Sequence, residues 1–144
     1  MKINIEGSCV TELFLVSDKE KKDAALELFN YSDDNAITNG NARFKTRVEF
    51  GDDTFFVIFA LTLKTEEDVV INICFRSQFR TDAPLDEEFR KGSFPFVNAP
   101  AIAYPYLRAY VSNFTLNSGY APIMLPSVNF VAMKQKVIAD SMNL

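Results

Sequence analysis

The chain has 144 residues, with 15 Lys and Arg against 19 Asp and Glu and a formal net charge of −4. This length suits a single domain covering residues 1–144, because domains cluster near ~100–150 residues. The mild acidity disfavours nucleic acid as a partner, since a nucleic-acid binder needs a basic surface to neutralise phosphates. It disfavours an anionic membrane surface for the same reason.

The N-terminus predicts a cytoplasmic location. Residues Met1–Glu6 lack the apolar core of a signal peptide, and no apolar run approaches the ~20 residues of a membrane span, so we expect no membrane insertion. Cys9 and Cys74 are far apart and form no CxxC pair. They predict free, buried thiols and no disulfide framework.

The aromatic content admits two interpretations. There are 14 Phe and 5 Tyr but no Trp, and hydrophobic residues make up 48% of the chain. These side chains could all form a Phe-rich core. Alternatively, some of them line a partner surface, since aromatic side chains provide large contact areas that tolerate varied sequences.

The first half of the chain predicts strands. A first strand covers 2–16, and a capping-box pattern of Ser17 and Glu20 then precedes a short helix through 23–29. Turn formers fill 30–41. Alternating or continuous apolar patterns predict three more strands, at 43–50, 54–64 and 69–80. Because consecutive strands tend to be neighbours, we expect a four-stranded antiparallel meander.

The second half predicts helices. One or two turns at 86–90 precede a loop at 94–97, and Asn98 is the expected cap of a long helix that ends at Gly119. Pro105 should delay the start of this helix or kink it. After a loop at 120–126, Ser127 is the expected cap of a final helix at 128–142. Strands followed by helices predict an α+β fold.

Residues for enzymatic chemistry are scarce. The chain contains no histidine, which excludes Ser–His and Cys–His nucleophiles and histidine-ligated metals. Five ungrouped glycines exclude a phosphate-binding loop. The carboxylate clusters lie in turns or at a helix start and lack the form of a calcium or magnesium loop. We therefore expect a non-enzyme without a metal or other cofactor.

One segment carries a family resemblance. The elements are Tyr104-Pro105-Tyr106-Leu107-Arg108, then the aromatic, proline-containing run Gly119–Pro126, then Ser127-Val128-Asn129-Phe130. Within residues 99–134 this combined string resembles the SecB protein-export chaperones, and the four strands ahead of it agree with that fold. The resemblance implies a homotetramer, built as a dimer of dimers, with the long helices buried between two eight-stranded sheets. It also implies nucleotide-independent (ATP-independent) holding of non-native polypeptides, such as unfolded preproteins, on apolar grooves.

By position in this fold, the groove should form between the sheet and the segment after Gly119. The peptide-binding candidates on the helix side are Ile123, Met124, Leu125, Val128, Phe130 and Met133. Those on the sheet side are Phe44, Val48, Phe59, Phe75 and Phe79. For each one, an ordinary core role is the alternative. The subunit-interface candidates are Tyr104, Tyr106, Arg108, Tyr110 and Phe114.

The partner remains open between several hypotheses. SecB-like proteins also include chaperones dedicated to one antitoxin, so the client could be a single protein. The SecA motor is a partner of the family, but members that bind it present acidic residues on the outer sheet face. Here that position carries Arg76 and Arg80. A purely structural or interaction protein is the hypothesis from another class, and a small-molecule enzyme is the most distant one.

Overall fold

The computed structural model describes residues 1–28 and 42–142. The predicted turn segment at 30–41 and the end of the predicted first helix at Phe29 lie outside these residues. In chain order the elements are β1 (Ile3–Val16), α1 (Lys19–Leu28), β2 (Ala42–Phe50), β3 (Thr54–Lys64), β4 (Val70–Thr81), α2 (Glu87–Lys91), a π-helical turn (Phe94–Asn98), α3 (Ala99–Asn117) and α4 (Phe130–Met142).

The four strands form one antiparallel sheet in the order β1-β4-β3-β2. The predicted α+β fold, with its antiparallel sheet, long helix and C-terminal helix, is confirmed. The meander itself covers only β2, β3 and β4. The expectation that consecutive strands are neighbours is wrong for β1, which pairs with β4. Short turns force β2, β3 and β4 to be neighbours, whereas the long connection after β1 lets the chain reach the opposite edge.

Two β-bulges keep the apolar face of β1 toward the core. Ile5, Val10 and Leu15 follow one another at intervals of five residues, which in a regular strand would place them on alternating faces. The pairing register shifts between Ile5 and Gly7 and again between Val10 and Glu12. Each shift adds one residue to β1 and restores the alternation, so all three side chains pack against the core.

The core lies between one face of the sheet and the helices α3 and α4. Phe44, Phe55, Phe59 and Phe79 of the sheet are at most 1% exposed. Phe55 stacks on Phe79 with ring centroids 5.0 Å apart, and Phe44 stacks on Phe59 at 5.4 Å. Such ring pairs contribute roughly 0.5–1.5 kcal/mol beyond the area they bury. Many of the phenylalanines therefore serve the core.

Several helix caps differ from the prediction. Helix α1 is capped by Asp18, whose carboxylate accepts from the backbone N–H of Lys21 at 3.1 Å. Asn98 makes no capping hydrogen bond, because the π-helical turn runs directly into α3. Pro105 lies inside α3 and does not delay its start at Ala99.

Helix α4 begins at Phe130, two residues later than predicted, and its cap is Asn129 in place of Ser127. The Asn129 side chain accepts from the backbone N–H of Ala132 at 3.1 Å. Near the other end of α4, the hydroxyl of Ser141 accepts from the N–H of Val48 at 2.8 Å. This hydrogen bond fastens α4 to β2, whose outer edge would otherwise present unpaired backbone groups.

The two cysteines are free, as predicted, but they are not buried. Cys9 is exposed and Cys74 is partly exposed. Within residues 1–28 and 42–142, no helix is both long enough and apolar enough to cross a membrane.

Candidate functional site

The candidate site begins where α3 ends. Gly119 has a φ of 92°, a left-handed conformation that only glycine adopts without strain. Around it, the N–H of Gly119 donates to the carbonyl of Leu116 at 3.1 Å, and the N–H of Tyr120 donates to the carbonyl of Thr115 at 3.0 Å. These two bonds close the helix in a Schellman-like motif and turn the chain back along it. The returning segment, residues 120–129, is called the return segment below.

Side chains of one face of α3 hold the return segment. Thr115 accepts the backbone N–H of Ile123 at 3.0 Å, Arg108 donates through Nε to the carbonyl of Leu125 at 2.9 Å, and the hydroxyl of Tyr104 donates to the carbonyl of Pro126 at 2.6 Å. Residues that come later in the return segment bond to residues that come earlier in α3. The segment therefore runs antiparallel to α3.

The sequence of the return segment favours this extended course. Pro122 and Pro126 have no backbone N–H to donate to a helix, and each biases the residue before it toward an extended conformation. The side chains alternate accordingly: Leu125 is 3% exposed and points into the core, while Met124 is 73% exposed. The segment therefore holds a large apolar side chain in solvent on a fastened backbone.

A recess of about 360 Å³ lies between the return segment and the open end of the β2–β3 hairpin, where β2 begins and β3 ends. Its apolar lining comes from Ala42, Leu63, Ile123 and Met124, and its other rim carries the exposed carboxylates of the β3–β4 turn, 66–67. The recess is open, so an extended polypeptide can enter it without a channel.

A second recess, of about 380 Å³, lies on the other side of Met124. Pro105, Ala109 and Ser112 of α3 line it together with Met124 and Leu125. Met124 therefore forms a ridge between two recesses, and its thioether accepts a weak hydrogen bond from Ser112 at 3.7 Å. The flexible, polarisable side chain of methionine suits contact with varied partners.

A third recess was missed by the sequence reasoning. It has a volume of about 460 Å³ and lies between the first bulge of β1 and α3, lined by Ile5, Phe75, Tyr106 and Tyr110. The aromatic residues of α3 are visible in the sequence, where Tyr106 and Tyr110 are predicted to lie at the subunit interface. The contribution of β1 depends on its place beside β4, which no local pattern indicates.

The peptide-binding candidates separate into buried and accessible groups. On the sheet side Phe44, Val48, Phe59, Phe75 and Phe79 are all at most 5% exposed, as are Leu125 and Phe130 on the helix side. Ile123, Val128 and Met133 are partly buried, and Met124 is exposed. The structure brings the accessible candidates together only along the return segment and the first turn of α4.

The subunit-interface candidates also differ in how far they are buried. Tyr104 is buried, and burial raises the pKa of its hydroxyl to about 12, opposed by the nearby charge of Arg108. Tyr110 stacks on Phe114 with centroids 5.8 Å apart and also contacts Phe75 at 6.0 Å. Tyr106 is 52% exposed.

A stripe of uncharged, mostly apolar side chains runs along the face of α3 that points away from the sheet. Its members recur at intervals of four and three residues, which keeps them on one side of the helix. They are Ile102, Tyr106, Ala109, Asn113 and Leu116, all exposed. The only ionisable side chains of α3 are Arg108 and its tyrosines. The stripe therefore leaves an uncharged helix face open to solvent in the single chain.

No group of three or more His, Cys, Asp or Glu side chains that could hold a metal ion occurs in the part of the chain the structure describes.

The model of the family described as "Preprotein translocase subunit SecB" matches residues 47–141, about two-thirds of the chain. The chain belongs to the SecB family. The match includes β3, β4, α3, the return segment and nearly all of α4, and it therefore covers the whole of the 99–134 segment that carries the resemblance in sequence.

The curated relatives agree with this membership. A protein-export protein SecB from Anaplasma phagocytophilum is 31% identical over 71 residues, covering 49% of this chain and 44% of the relative. One from Chelativorans sp. is 26% identical over 98 residues, covering 62% and 55%. The chain thus spans about half the length of these curated relatives.

Solved structures share the fold. A SecB-like chaperone of Mycobacterium tuberculosis, in complex with a peptide from an antitoxin, matches with a TM-score of 0.59 at 16% identity, covering 88% of this chain and 89% of that one. A Streptococcus agalactiae protein of unknown function matches with a TM-score of 0.52 at 10% identity, covering 88% and 98%. At these identities the likeness concerns the fold.

Proposed function

We propose that this SecB-family protein is an ATP-independent holdase chaperone that binds non-native polypeptide segments along the return segment. The observation that carries the proposal is the exposure of Met124 on a backbone fastened to α3, with an open recess on each side. Family membership supports the same role. Among the candidate residues, the accessible ones, Ile123, Met124, Val128 and Met133, contact the client. The buried ones support that surface from the core.

The arrangement suits weak, repeated contacts with many sequences. Each Å² of apolar surface that a client covers contributes roughly 25 cal/mol, so several shallow contacts along an extended chain can offset the entropy lost in ordering it. Because the return segment is already ordered by its hydrogen bonds to α3, binding costs little ordering on the chaperone side.

The test is the affinity for a labelled, carboxymethylated and permanently unfolded protein. Replacing Met124 by Glu places a charge where the client must bury apolar surface, and we expect binding to weaken about tenfold. Met124→Leu keeps the apolar volume and should bind as the original chain does. Met142→Glu, at an exposed apolar position at the far end of α4, is the matched control and should leave binding unchanged.

Two results would contradict this proposal. One is the absence of any binding of the unfolded protein by the original chain, which favours a purely structural role. The other is equal binding by the Met124→Glu and Met124→Leu variants, which moves the client surface away from the return segment.

We also propose that the protein assembles as a homotetramer. The uncharged outward stripe of α3 suits packing against the same helix of another copy. The β1 strand lies at the edge of the sheet and exposes Leu13 and Phe14, which suits extension of the sheet by a second copy. A mass in solution equal to four 16.3 kDa chains is the expected result.

A second candidate function is dedication to one antitoxin. The observation that favours it is the match, over 88% of this chain, to a mycobacterial SecB-like chaperone held with an antitoxin peptide. A dedicated chaperone protects only its own partner from aggregation, whereas a general one suppresses the aggregation of unrelated denatured proteins. Light scattering with several unrelated clients separates the two.

For the cellular setting we propose a cytoplasmic protein serving preprotein export, as the descriptions of the family and its relatives suggest. The residues of the outer sheet face disfavour transfer of clients to a SecA motor, because Arg76 and Arg80 extend from β4 on the sheet face opposite the helices. A pull-down with purified SecA tests it directly.

A further inference from the structure

The face of the sheet opposite α3 and α4 has an unusual charge distribution. Across the strands, Arg47, Ile58, Arg76 and Cys9 form one row, and Lys45, Ala60, Cys74 and Glu12 form the next. The strands carry six cations on this outward face of an acidic chain, namely Arg43, Lys45, Arg47, Lys64, Arg76 and Arg80. Its carboxylates in the same described strands are Glu6, Glu12 and Glu49.

Each of these three carboxylates is engaged within the face. Glu6 accepts from Gln78 at 2.9 Å and from Arg80 at 2.6 Å. Glu12 accepts from Asn72 at 3.0 Å, and Glu49 accepts from Arg47 at 3.1 Å. Glu6 and Glu49 are therefore paired with cations, whereas the partners of Glu12 are uncharged. The cations of the strands outnumber these three carboxylates, so the face keeps a net positive charge.

Two of these cations are not neutralised by an ion pair. Among the described residues, Lys45 and Arg76 form no ion pair with a carboxylate. The Arg76 guanidinium lies over the ring of Phe56, 4.8 Å from its centroid, which holds it on the surface without cancelling its charge. In the same row, the Nε of Arg47 is buried and has no hydrogen-bond partner. The cations Lys45 and Arg76 and the unpaired Nε–H of Arg47 therefore lie on the two strands beside Ile58 and Ala60 of β3.

A small recess of about 200 Å³ lies in the surface between them, and its lining includes Lys45, Ala60 and Glu12. A chain of hydrogen bonds lines it, from the Thr62 hydroxyl to Asn72 at 2.7 Å and from Asn72 to Glu12. The shape suits an extended backbone crossing the strands and does not suit a compact ligand.

We propose that this outward face docks an extended acidic segment of a partner protein, whose carboxylates bind Lys45 and Arg76. These residues stand in neighbouring rows on strands β2 and β4, about 10 Å apart across β3 and about 7 Å apart along the strands, so their Cα atoms are roughly 12 Å apart. Two carboxylates four residues apart in an extended peptide lie on the same side of it and span about 13 Å. Arg76 on Phe56 also supplies the arginine and aromatic surface that protein interfaces favour.

Charge density argues for a peptide over nucleic acid. A polynucleotide presents phosphates at every step and needs a continuous basic track, whereas this face interrupts its cations with Glu6, Glu12 and Glu49. An acidic peptide with spaced carboxylates avoids those three positions. The docking face is also opposite the return segment, so a partner and a client can be bound at once.

The experiment uses the full chain and a fluorescein-labelled peptide with Glu at every fourth position and Thr and Val between. A second peptide carries Gln in place of every Glu. We expect the Glu peptide to bind more tightly than the Gln peptide, with an affinity that falls as salt increases. Lys45→Gln and Arg76→Gln should each weaken binding about threefold, and the double variant about tenfold, because exposed ion pairs contribute modestly.

Lys91→Gln is the control, since it removes one exposed positive charge from α2, away from the docking face, and it should bind the Glu peptide as the original chain does. The double variant should still bind unfolded protein, which separates this proposal from the holdase proposal.

Equal binding of the two peptides would overturn the docking proposal, as would an equal loss of peptide binding in the Lys91→Gln variant. Stronger binding of a single-stranded oligonucleotide would overturn it in favour of nucleic acid. A changed mass of the double variant in light scattering would overturn it in favour of a contact between copies.

Discussion

Ile123 donates its backbone N–H to the hydroxyl of Thr115 at 3.0 Å, and that hydroxyl donates in turn to the carbonyl of Val111 at 2.8 Å. The hydroxyl thus acts as a relay between a helix and the segment that follows it. Thr115 is fully buried, so neither bond can be replaced easily by water.

Thr115→Val keeps the shape of the side chain and removes the relay. The N–H of Ile123 then lacks its acceptor, which costs about 1–3 kcal/mol for a group removed from water. We expect a corresponding fall in the free energy of unfolding, measured by urea denaturation. Thr115→Ser keeps the hydroxyl and removes only a methyl group, so it should lose less stability; a Val variant that is as stable as the original chain would contradict the role of the hydroxyl.

Tyr104→Phe removes the hydrogen bond to the carbonyl of Pro126 and should lower the free energy of unfolding by about 0.5–1.5 kcal/mol. The variant also tests the pKa. Because the folded pKa is raised to about 12 from an ordinary value of 10.0, the folded state holds this proton more tightly than the unfolded state. The stabilisation is therefore complete below pH 10 and is lost as pH rises toward 12.

Alkaline unfolding provides the measurement for Tyr104. The original chain should lose stability steeply between pH 10 and 12, and the Phe variant should show a shallower fall over the same range. Identical slopes would contradict the assignment of the raised pKa to Tyr104.

Asp68 fastens α1 to the turn between β3 and β4. Its carboxylate pairs with Lys22 of α1 and with Lys64 at 3.1 Å, and these two ammonium groups lower its pKa from the ordinary value of 3.8. A lowered carboxylate pKa means that the stabilisation is present above the unfolded value. It is lost as pH falls below 3.8 through the folded value.

Asp68→Asn removes the charge while keeping a residue that tolerates the positive φ of 62° at this position. We expect faster amide hydrogen exchange in α1, with the sheet unaffected. Glu67→Gln changes the neighbouring exposed charge and should leave α1 protected. Unchanged exchange in the Asn variant would show that α1 is held by other contacts.

Charges on the outward stripe of α3 test the assembly. Tyr106→Glu combined with Leu116→Glu places two carboxylates on the uncharged face, and burying them between copies is strongly unfavourable. The mass in solution should fall from that of a tetramer to that of a dimer or monomer. Met142→Glu, at an exposed apolar position near the end of α4, should leave the mass unchanged; a tetramer that persists in the double variant would locate the interface elsewhere.

Local sequence patterns predicted the strands and helices because the periodicity of apolar residues and the turn residues between them decide where each element forms. The alternation of Phe44, Val48 and Phe50 with charged residues established β2, and the short Gly51–Asp53 connection fixed its pairing with β3. The same alternation could not decide whether Phe44 and Val48 face a client or a helix, since both need an apolar side chain. The structure shows α4 packed there, fastened by Ser141.

The sequence by itself determined the α+β class, the order of strands and helices, and membership in the SecB family, because periodicity, turn residues and a contiguous motif are properties of neighbouring positions. Only the tertiary structure decided that β1 lies beside β4, that the return segment runs antiparallel to α3, and that Met124 is exposed while Leu125 is buried. Those outcomes depend on hydrogen bonds and packing between residues distant in the chain, such as Tyr104 with Pro126, and no local pattern records which distant groups will meet.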